Sequence, residues 1–180
     1  MLRDLLSKLA GATQSPPRVG WGEIFWSWLG SFLGIAAVAG LHYQYCQGTG
    51  NILIIGSFGA SAVLIYGATK SPLAQPRNLL GGHIISALIG VTMLKLCGPL
   101  VWLAAALAVS LSIAVMHATK TLHPPGGATA LIAVISGPQL QKLGYVYVLM
   151  PVAAGALIML LVALLVNNLA RSRRYPEFWW

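Results

Sequence analysis

Acidic residues are almost missing. Asp4, Glu23 and Glu177 are the only acids among 180 residues, and charged residues of both signs amount to 8 %. A soluble domain carries roughly a quarter charged residues. With 57 % apolar residues and a mean hydropathy of +0.78, this chain cannot cover itself with a water-exposed surface. The shortage of carboxylates leaves no pair for general acid–base work and no histidine–carboxylate set beside a serine nucleophile, so an enzyme is not expected. Cysteine is equally scarce. Cys46 and Cys97 stand in or beside apolar stretches at no metal-ligand spacing, and read as small buried hydrophobes. The histidines have no ligand companions either, so neither a metal nor a cofactor is expected. The net charge of +8 is scattered between apolar runs, a pattern of membrane orientation and not of a nucleic-acid face.

What is present is length. A crossing needs about 20 apolar residues, and four stretches supply it, roughly Glu23–Leu41, Leu79–Cys97, Pro99–His117 and Gly144–Asn167. Between them lie two shorter ones, Ile52–Ala68 and Gly127–Gly137. If all six cross with the N-terminus inside, Arg3, Lys8, Arg18, Lys70, Arg77, Lys120, Arg171, Arg173 and Arg174 share the inner side, and only Lys95 and Lys142 fall outside. If the two short segments dip in and return, that bias weakens. The positive-inside rule therefore selects six crossings with both ends cytoplasmic. Residues 1–20 form an interfacial helix (Leu2, Leu5, Leu6 and Leu9 on one face) and a linker broken at Ser15-Pro16-Pro17; no cleavable signal peptide is expected. Residues 21–170 form the membrane domain. Residues 171–180 form a basic, aromatic tail, with the Arg171-Ser172-Arg173-Arg174 cluster expected on anionic headgroups. Trp21, Trp26, Trp28, Trp179 and Trp180 suit interfacial anchoring.

The two short segments resemble each other. Gly59-Ala60-Ser61-Ala62-Val63-Leu64-Ile65 can be laid on Gly127-Ala128-Thr129-Ala130-Leu131-Ile132-Ala133, and each sits second in a set of three. The fold expected is all-α: a polytopic membrane helix bundle of two inverted three-segment repeats, each with a short broken or half helix.

His123-Pro124-Pro125-Gly126-Gly127 is the least ordinary stretch. The prolines lack amide hydrogens and Pro125 disfavours a helical Pro124, so an extended stub should precede a short helix over Ala128–Ser136. The amides of Gly127, Ala128 and Thr129, with the Thr129 hydroxyl, would make an anion site at a helix start. Ser57, Gly59, Ala60 and Ser61 would face it from the other half. Intramembrane histidines invite a functional reading; His123 could gate, bond or protonate, with His117 and His83 as further pathway candidates and Lys120 concentrating anions at the inner mouth.

Residues 122–130 (Leu122-His123-Pro124-Pro125-Gly126-Gly127-Ala128-Thr129-Ala130) resemble the signature of the HPP family of integral membrane proteins. Phe58-Gly59-Ala60-Ser61-Ala62-Val63-Leu64, and Ser71-Pro72-Leu73-Ala74-Gln75-Pro76-Arg77-Asn78 through Gly81-Gly82-His83, are similar to further stretches of that family. The resemblance implies four spans, against the six counted here. It also implies nitrite transport, as associated with cyanobacterial and chloroplast members, and so a bacterial (cyanobacterial-type) inner membrane. The reading is a transporter or channel for a small anion, nitrite, working alone in the lipid bilayer or as a homo-oligomer through its small-residue faces. A membrane subunit acting through a partner is the alternative.

Overall fold

The apolar runs fold as helices because the bilayer leaves backbone groups no other partner. The computed structural model describes residues 2–9 and 13–180, and every regular element in them is helical. These are α1 (Leu2–Leu9), α2 (Trp21–Leu41, ending in a wider π turn over His42–Cys46), α3 (Ser57–Gly67), α4 (Pro76–Cys97), α5 (Val101–Ala118), α6 (Pro124–Ile135), α7 (Pro138–Gln141) and α8 (Ala154–Leu169, led in by a kinked turn over Val148–Ala153). Four of these helical runs are long and apolar enough to cross a membrane; α3 and α6 are shorter. Of the interfacial helix expected over residues 1–12, Leu2–Leu9 is helical with Leu5, Leu6 and Leu9 exposed; Met1 and residues 10–12 lie outside the described residues.

Contacts fix the direction of each segment. Arg173, just past α8, holds Glu23 at the start of α2 and the Tyr66 carbonyl at the end of α3. The start of α4 and the end of α5 share that level, since Asn78 donates to the Leu122 carbonyl at 2.8 Å. At the opposite level, the Leu53 amide meets His42 beyond α2 at 3.2 Å, and the Lys95 side chain lies by Gly144. The chain therefore passes between the two levels six times. The short helices α3 and α6 do so in series with the non-helical residues 51–55 and 121–123. Both described ends of the bundle lie on one face, with Arg18, Lys70, Arg77, Lys120, Arg171, Arg173 and Arg174, while Lys95 and Lys142 lie on the other. Six segments therefore run between the two levels: four are helices long and apolar enough to cross a membrane, the number that the family resemblance implies, and two are only partly helical.

The halves run in opposite directions, and a shift of 68 residues carries Ser57–Gly67 onto Pro125–Ile135, the whole of α3 onto α6 less one residue. The third helix of each half is exchanged: α4 packs on α5 and α6, whereas α8 packs on α2 and α3. The halves are thus interlocked, with α3 crossing α6 at the centre.

The α4–α6 seam depends on small residues. Gly82, Ser86 and Gly90 repeat every fourth residue along one face of α4. A β-carbon at Gly90 would lie 2.6 Å from the Ala130 carbonyl oxygen, and one at Gly126 would lie 2.7 Å from that of Gly82. Two backbones in such contact leave no space for side chains, and give dispersion contacts along the full seam.

The start of α6 departs from expectation. The helix begins at Pro124, not Ala128, with both prolines in its first turn and His123 as an extended N-cap (φ −141°, ψ 104°). The first amides of a helix have no intrahelical acceptor, so proline loses nothing there and its fixed φ is already helical. The restriction that a proline imposes on its predecessor falls on His123, which is extended.

The tail also departs from expectation. Arg173 turns inward, its side chain 2 % exposed against the 39 % exposed Glu23. Its guanidinium donates to the Glu23 carboxylate and carbonyl, Ser27 Oγ, Asn167 Oδ1 and the Tyr66 carbonyl, all within 2.8–3.1 Å. Beyond it, Tyr175 donates to the Ala74 carbonyl at 2.7 Å, and the Glu177 amide donates to Gln75 Oε1 at 2.8 Å. Burial pushes the Tyr175 hydroxyl above the ordinary phenol range. Arg171 and Arg174 stay exposed. The cluster therefore divides: one arginine locks the bundle and two can meet headgroups.

Candidate functional site

Where α3 crosses α6, the inward faces carry hydroxyls and α4 supplies an imidazole between them. The helical period puts Ser57 and Ser61 on one face of α3, both buried. Thr129, the residue equivalent to Ser61 under the 68-residue shift, faces them from α6 and is also fully buried. His83 sits between the two. Its Nε2 lies 2.7 Å from Ser61 Oγ, and its Nδ1 lies 2.7 Å from Thr129 Oγ1. The repeat thus delivers one hydroxyl to each nitrogen of a single ring.

His123 completes the cluster from the end of the 121–123 stretch. Its Nε2 lies 3.0 Å from the same Ser61 Oγ, and its Nδ1 lies 2.8 Å from the Leu73 carbonyl oxygen. The two imidazole rings stand edge to face with centroids 5.0 Å apart, and the Phe58 ring closes the other side of His83 at 5.5 Å. Both histidines are fully buried. Thr129 Oγ1 can also donate to Ser57 Oγ at 2.8 Å and to the Pro125 carbonyl at 3.2 Å. Just before the lead-in to α8, Tyr147 donates to the Thr129 carbonyl at 3.0 Å. No acidic or basic chain hydrogen-bonds to the cluster among the described residues.

Of the residues singled out in the sequence, Ser57, Ser61, His83, His123 and Thr129 are brought together. Pro125 and Gly126 are buried behind them, the latter in the α4–α6 seam. Gly127 and Ala128 lie half-buried on the outer side of α6, in a groove of about 540 Å3 that also takes in Met116, His117, Pro124 and Leu131. Gly59 and Ala60 face outward on α3, and Gly59 lines the matching groove of about 560 Å3 beside α2 with Trp28, Phe32 and Val63. Lys120 is exposed after α5 with a positive φ of 57°. The short helices pass side by side instead of meeting tip to tip, since Ser57, first in α3, touches Thr129, sixth in α6. Thr129 and Ala128 stand past the first turn, where helix geometry turns their amides onto Pro125 and Pro124. The polar groups at the centre are therefore side chains and not free amides.

Three contributors escaped the sequence reading: Phe58, Tyr147 and the Leu73 carbonyl. Leu73 could not have been found, because any residue supplies a carbonyl. Tyr147 had a signal, being a tyrosine inside an apolar run, where a hydroxyl needs a partner. Among the described residues no group of three His, Cys, Asp or Glu is placed to hold a metal ion.

The model of the HPP transmembrane region matches residues 16–176. Two transmembrane proteins of Dictyostelium discoideum are similar to this chain. One is 54 % identical over 176 residues, covering 96 % of this chain and 56 % of the relative. The other is 50 % identical over 173 residues, covering 94 % and 60 %. The chain thus spans little more than half the length of these relatives, and neither of them is cyanobacterial. No solved structure matches.

Proposed function

We propose that this chain, which belongs to the HPP transmembrane family, moves a small polar solute across the bilayer, with a monovalent inorganic anion, nitrite first, as the substrate. The observation that carries this reading is the cluster of three hydroxyls and two imidazoles, all at most 1 % exposed, at the crossing of two interrupted helices. Polar groups and broken helices are costly at membrane depth, and are kept there where a solute or ion uses them. The cluster contains donors and no carboxylate, so an anion meets no like charge. In the closed arrangement the hydroxyls bond to the imidazoles. An arriving oxyanion would take over those hydrogens, with Ser57, Ser61 and Thr129 as the first donors.

The face with seven basic side chains against two is, by the positive-inside rule, the cytoplasmic one, and it carries both ends of the bundle. The exposed aromatic and aliphatic residues of α2 and α5 (Trp28, Phe32, Trp102 and Leu111 among them) suit contact with lipid or with a second copy. A role as membrane subunit of a larger assembly is the second reading, favoured by the extra length of both relatives.

The test is nitrite flux into proteoliposomes holding the purified chain, with empty vesicles as the baseline. Flux above that baseline, reduced in His83→Ala and His123→Ala, is expected. Vesicles that hold the folded chain and pass neither nitrite, nitrate, formate nor chloride would overturn transport by the chain alone.

A further inference from the structure

The four hydrogen bonds made by the two rings have one arrangement in which all are made with both rings neutral, and a single carbonyl dictates it. A carbonyl oxygen only accepts, so Nδ1 of His123 carries a hydrogen toward Leu73. The other nitrogen of a neutral imidazole is then bare, and His123 Nε2 accepts from the Ser61 hydroxyl. Ser61 has only one hydrogen. Its contact with His83 must therefore be donated by His83 Nε2–H. That leaves His83 Nδ1 bare, to accept from Thr129.

This line can reverse. Suppose a proton arrives at Thr129 Oγ1. The original Thr129 O–H bond breaks as an N–H bond forms on His83 Nδ1, and the new hydrogen on Thr129 points to Ser57 Oγ or the Pro125 carbonyl, both already within reach. The Nε2–H bond of His83 breaks as an O–H bond forms on Ser61, while the original Ser61 O–H bond breaks as an N–H bond forms on His123. His83 is left neutral and His123 carries the positive charge, one proton nearer the face that holds Leu73. The three hydrogen bonds that join His123, Ser61, His83 and Thr129 are again made with donor and acceptor exchanged, while His123 Nδ1 still donates to Leu73.

The elements around the pair carry few competing groups. Other titratable or charged side chains on them and on the segments joining them are Tyr66, Lys70, Arg77, Lys95, Cys97, the exposed His117, Lys120, Tyr145 and Tyr147. Of these, Tyr147 alone bonds to a relay residue, through the Thr129 carbonyl.

We propose that Thr129, His83, Ser61 and His123 form a proton relay, and that protons moving along it drive the solute. The proposal rests on the transport reading above for its second half only. Ser61 is the decisive residue, because among the described residues it is the one hydrogen-bonding bridge between the rings.

The experiment uses proteoliposomes with a trapped pH dye, an inward proton gradient and external nitrite, reading proton entry and nitrite entry together. Coupled entry of both is expected, with at least a tenfold loss in Ser61→Ala and recovery in Ser61→Thr, which keeps the hydroxyl. Nitrite entry indifferent to the gradient and to Ser61→Ala would overturn the relay and leave the transport reading standing. Voltage-driven proton entry that Ser61→Ala abolishes, without nitrite movement, would keep the relay and overturn nitrite as the solute. Neither flux would overturn both. Nitrogen-15 NMR of the histidines in the unmodified chain gives a check that needs no variant to fold. At neutral pH the hydrogen should sit on Nδ1 of His123 and on Nε2 of His83, and the same tautomer on both rings would sink the relay.

Discussion

Replacing Arg173 with alanine removes one side chain from five acceptors on three helices. Removing one partner of a buried ion pair typically costs 3–5 kcal/mol, because the other partner is left without compensation. Glu23 is 39 % exposed, so its carboxylate regains water and its share falls toward that of a surface pair, up to about 1 kcal/mol. The Tyr66 carbonyl and Asn167 Oδ1 regain little, since Tyr66 and Asn167 are fully buried, and each loses a charge-assisted bond of about 1.5–3 kcal/mol. These terms overlap, so about 3 kcal/mol is the expected loss. At roughly 2–4 °C per kcal/mol for a chain of this length, Tm in detergent should fall by about 6–12 °C, read from tryptophan fluorescence. Arg173→Lys should recover less than half of that, because an ammonium cannot reach the set a planar fork reaches. A Tm within 2 °C of the unmodified chain for Arg173→Ala would mean that the tail is not a lock, and would return the whole cluster to the headgroups.

Adjacent glycines in α6 should respond with opposite sign. Gly126→Ala should lower stability by about 1–3 kcal/mol through overpacking against the Gly82 carbonyl, 2.7 Å away, whereas Gly127→Ala, with its nearest neighbour at 3.9 Å, should raise it by about 0.5–1 kcal/mol, both measured by chemical denaturation in detergent. Tyr147→Phe removes the bond to the Thr129 carbonyl and should cost about 1 kcal/mol in the same assay. Cysteines placed at Lys120 and Lys142, after replacing Cys46 and Cys97, should be labelled by an impermeant maleimide from opposite sides of the membrane; labelling from one side would overturn the six-pass course.

The long helices were legible because a run of some twenty apolar residues has one solution in a bilayer; α2, α4 and α5 fall within a few residues of the stretches expected, whereas α8 starts only at Ala154, after the kinked turn over Val148–Ala153. The repeat was legible for a different reason: Gly59-Ala60-Ser61 and Gly127-Ala128-Thr129 occupy equivalent places in two helices that begin and end in register. The start of α6 was misread because the rule against proline in helices was applied at the one position where it does not hold. The sequence expects the repeat residues to contribute to one central site, but helical geometry divides them. Ser61 and Thr129 turn inward, and Gly59 and Gly127 turn out to the grooves. Arg173 was indistinguishable from Arg171 and Arg174 by composition, since its inward turn depends on Glu23, 150 positions away. The exchange of α4 and α8 between halves has no sequence signal at all; each is simply an apolar helix, and its partner follows from how the small-residue faces fit.

The scarcity of acids and the form of the site are connected. A charged relay buried in a bilayer needs counter-charges, and each carboxylate placed there carries a large desolvation cost. This chain has three acids, of which Glu23 is held by Arg173 at the membrane face. Hydroxyls and imidazoles are neutral at rest and each can both give and accept, so a line of them satisfies its own hydrogen bonds without any counter-charge. The cost is that an added proton has no partner in the cluster. A passing anion can supply that partner, and its negative charge would be worth most while the proton is on His83 or His123. On this view, a carboxylate in place of the hydroxyl at His83 Nδ1, as in Thr129→Asp, should accept from that nitrogen, hold a proton on the ring permanently and abolish nitrite movement. Thr129→Ser, which keeps a neutral hydroxyl, should retain it. Equal nitrite flux in the two variants would show that neutrality of the line is not what the scarcity of acids protects.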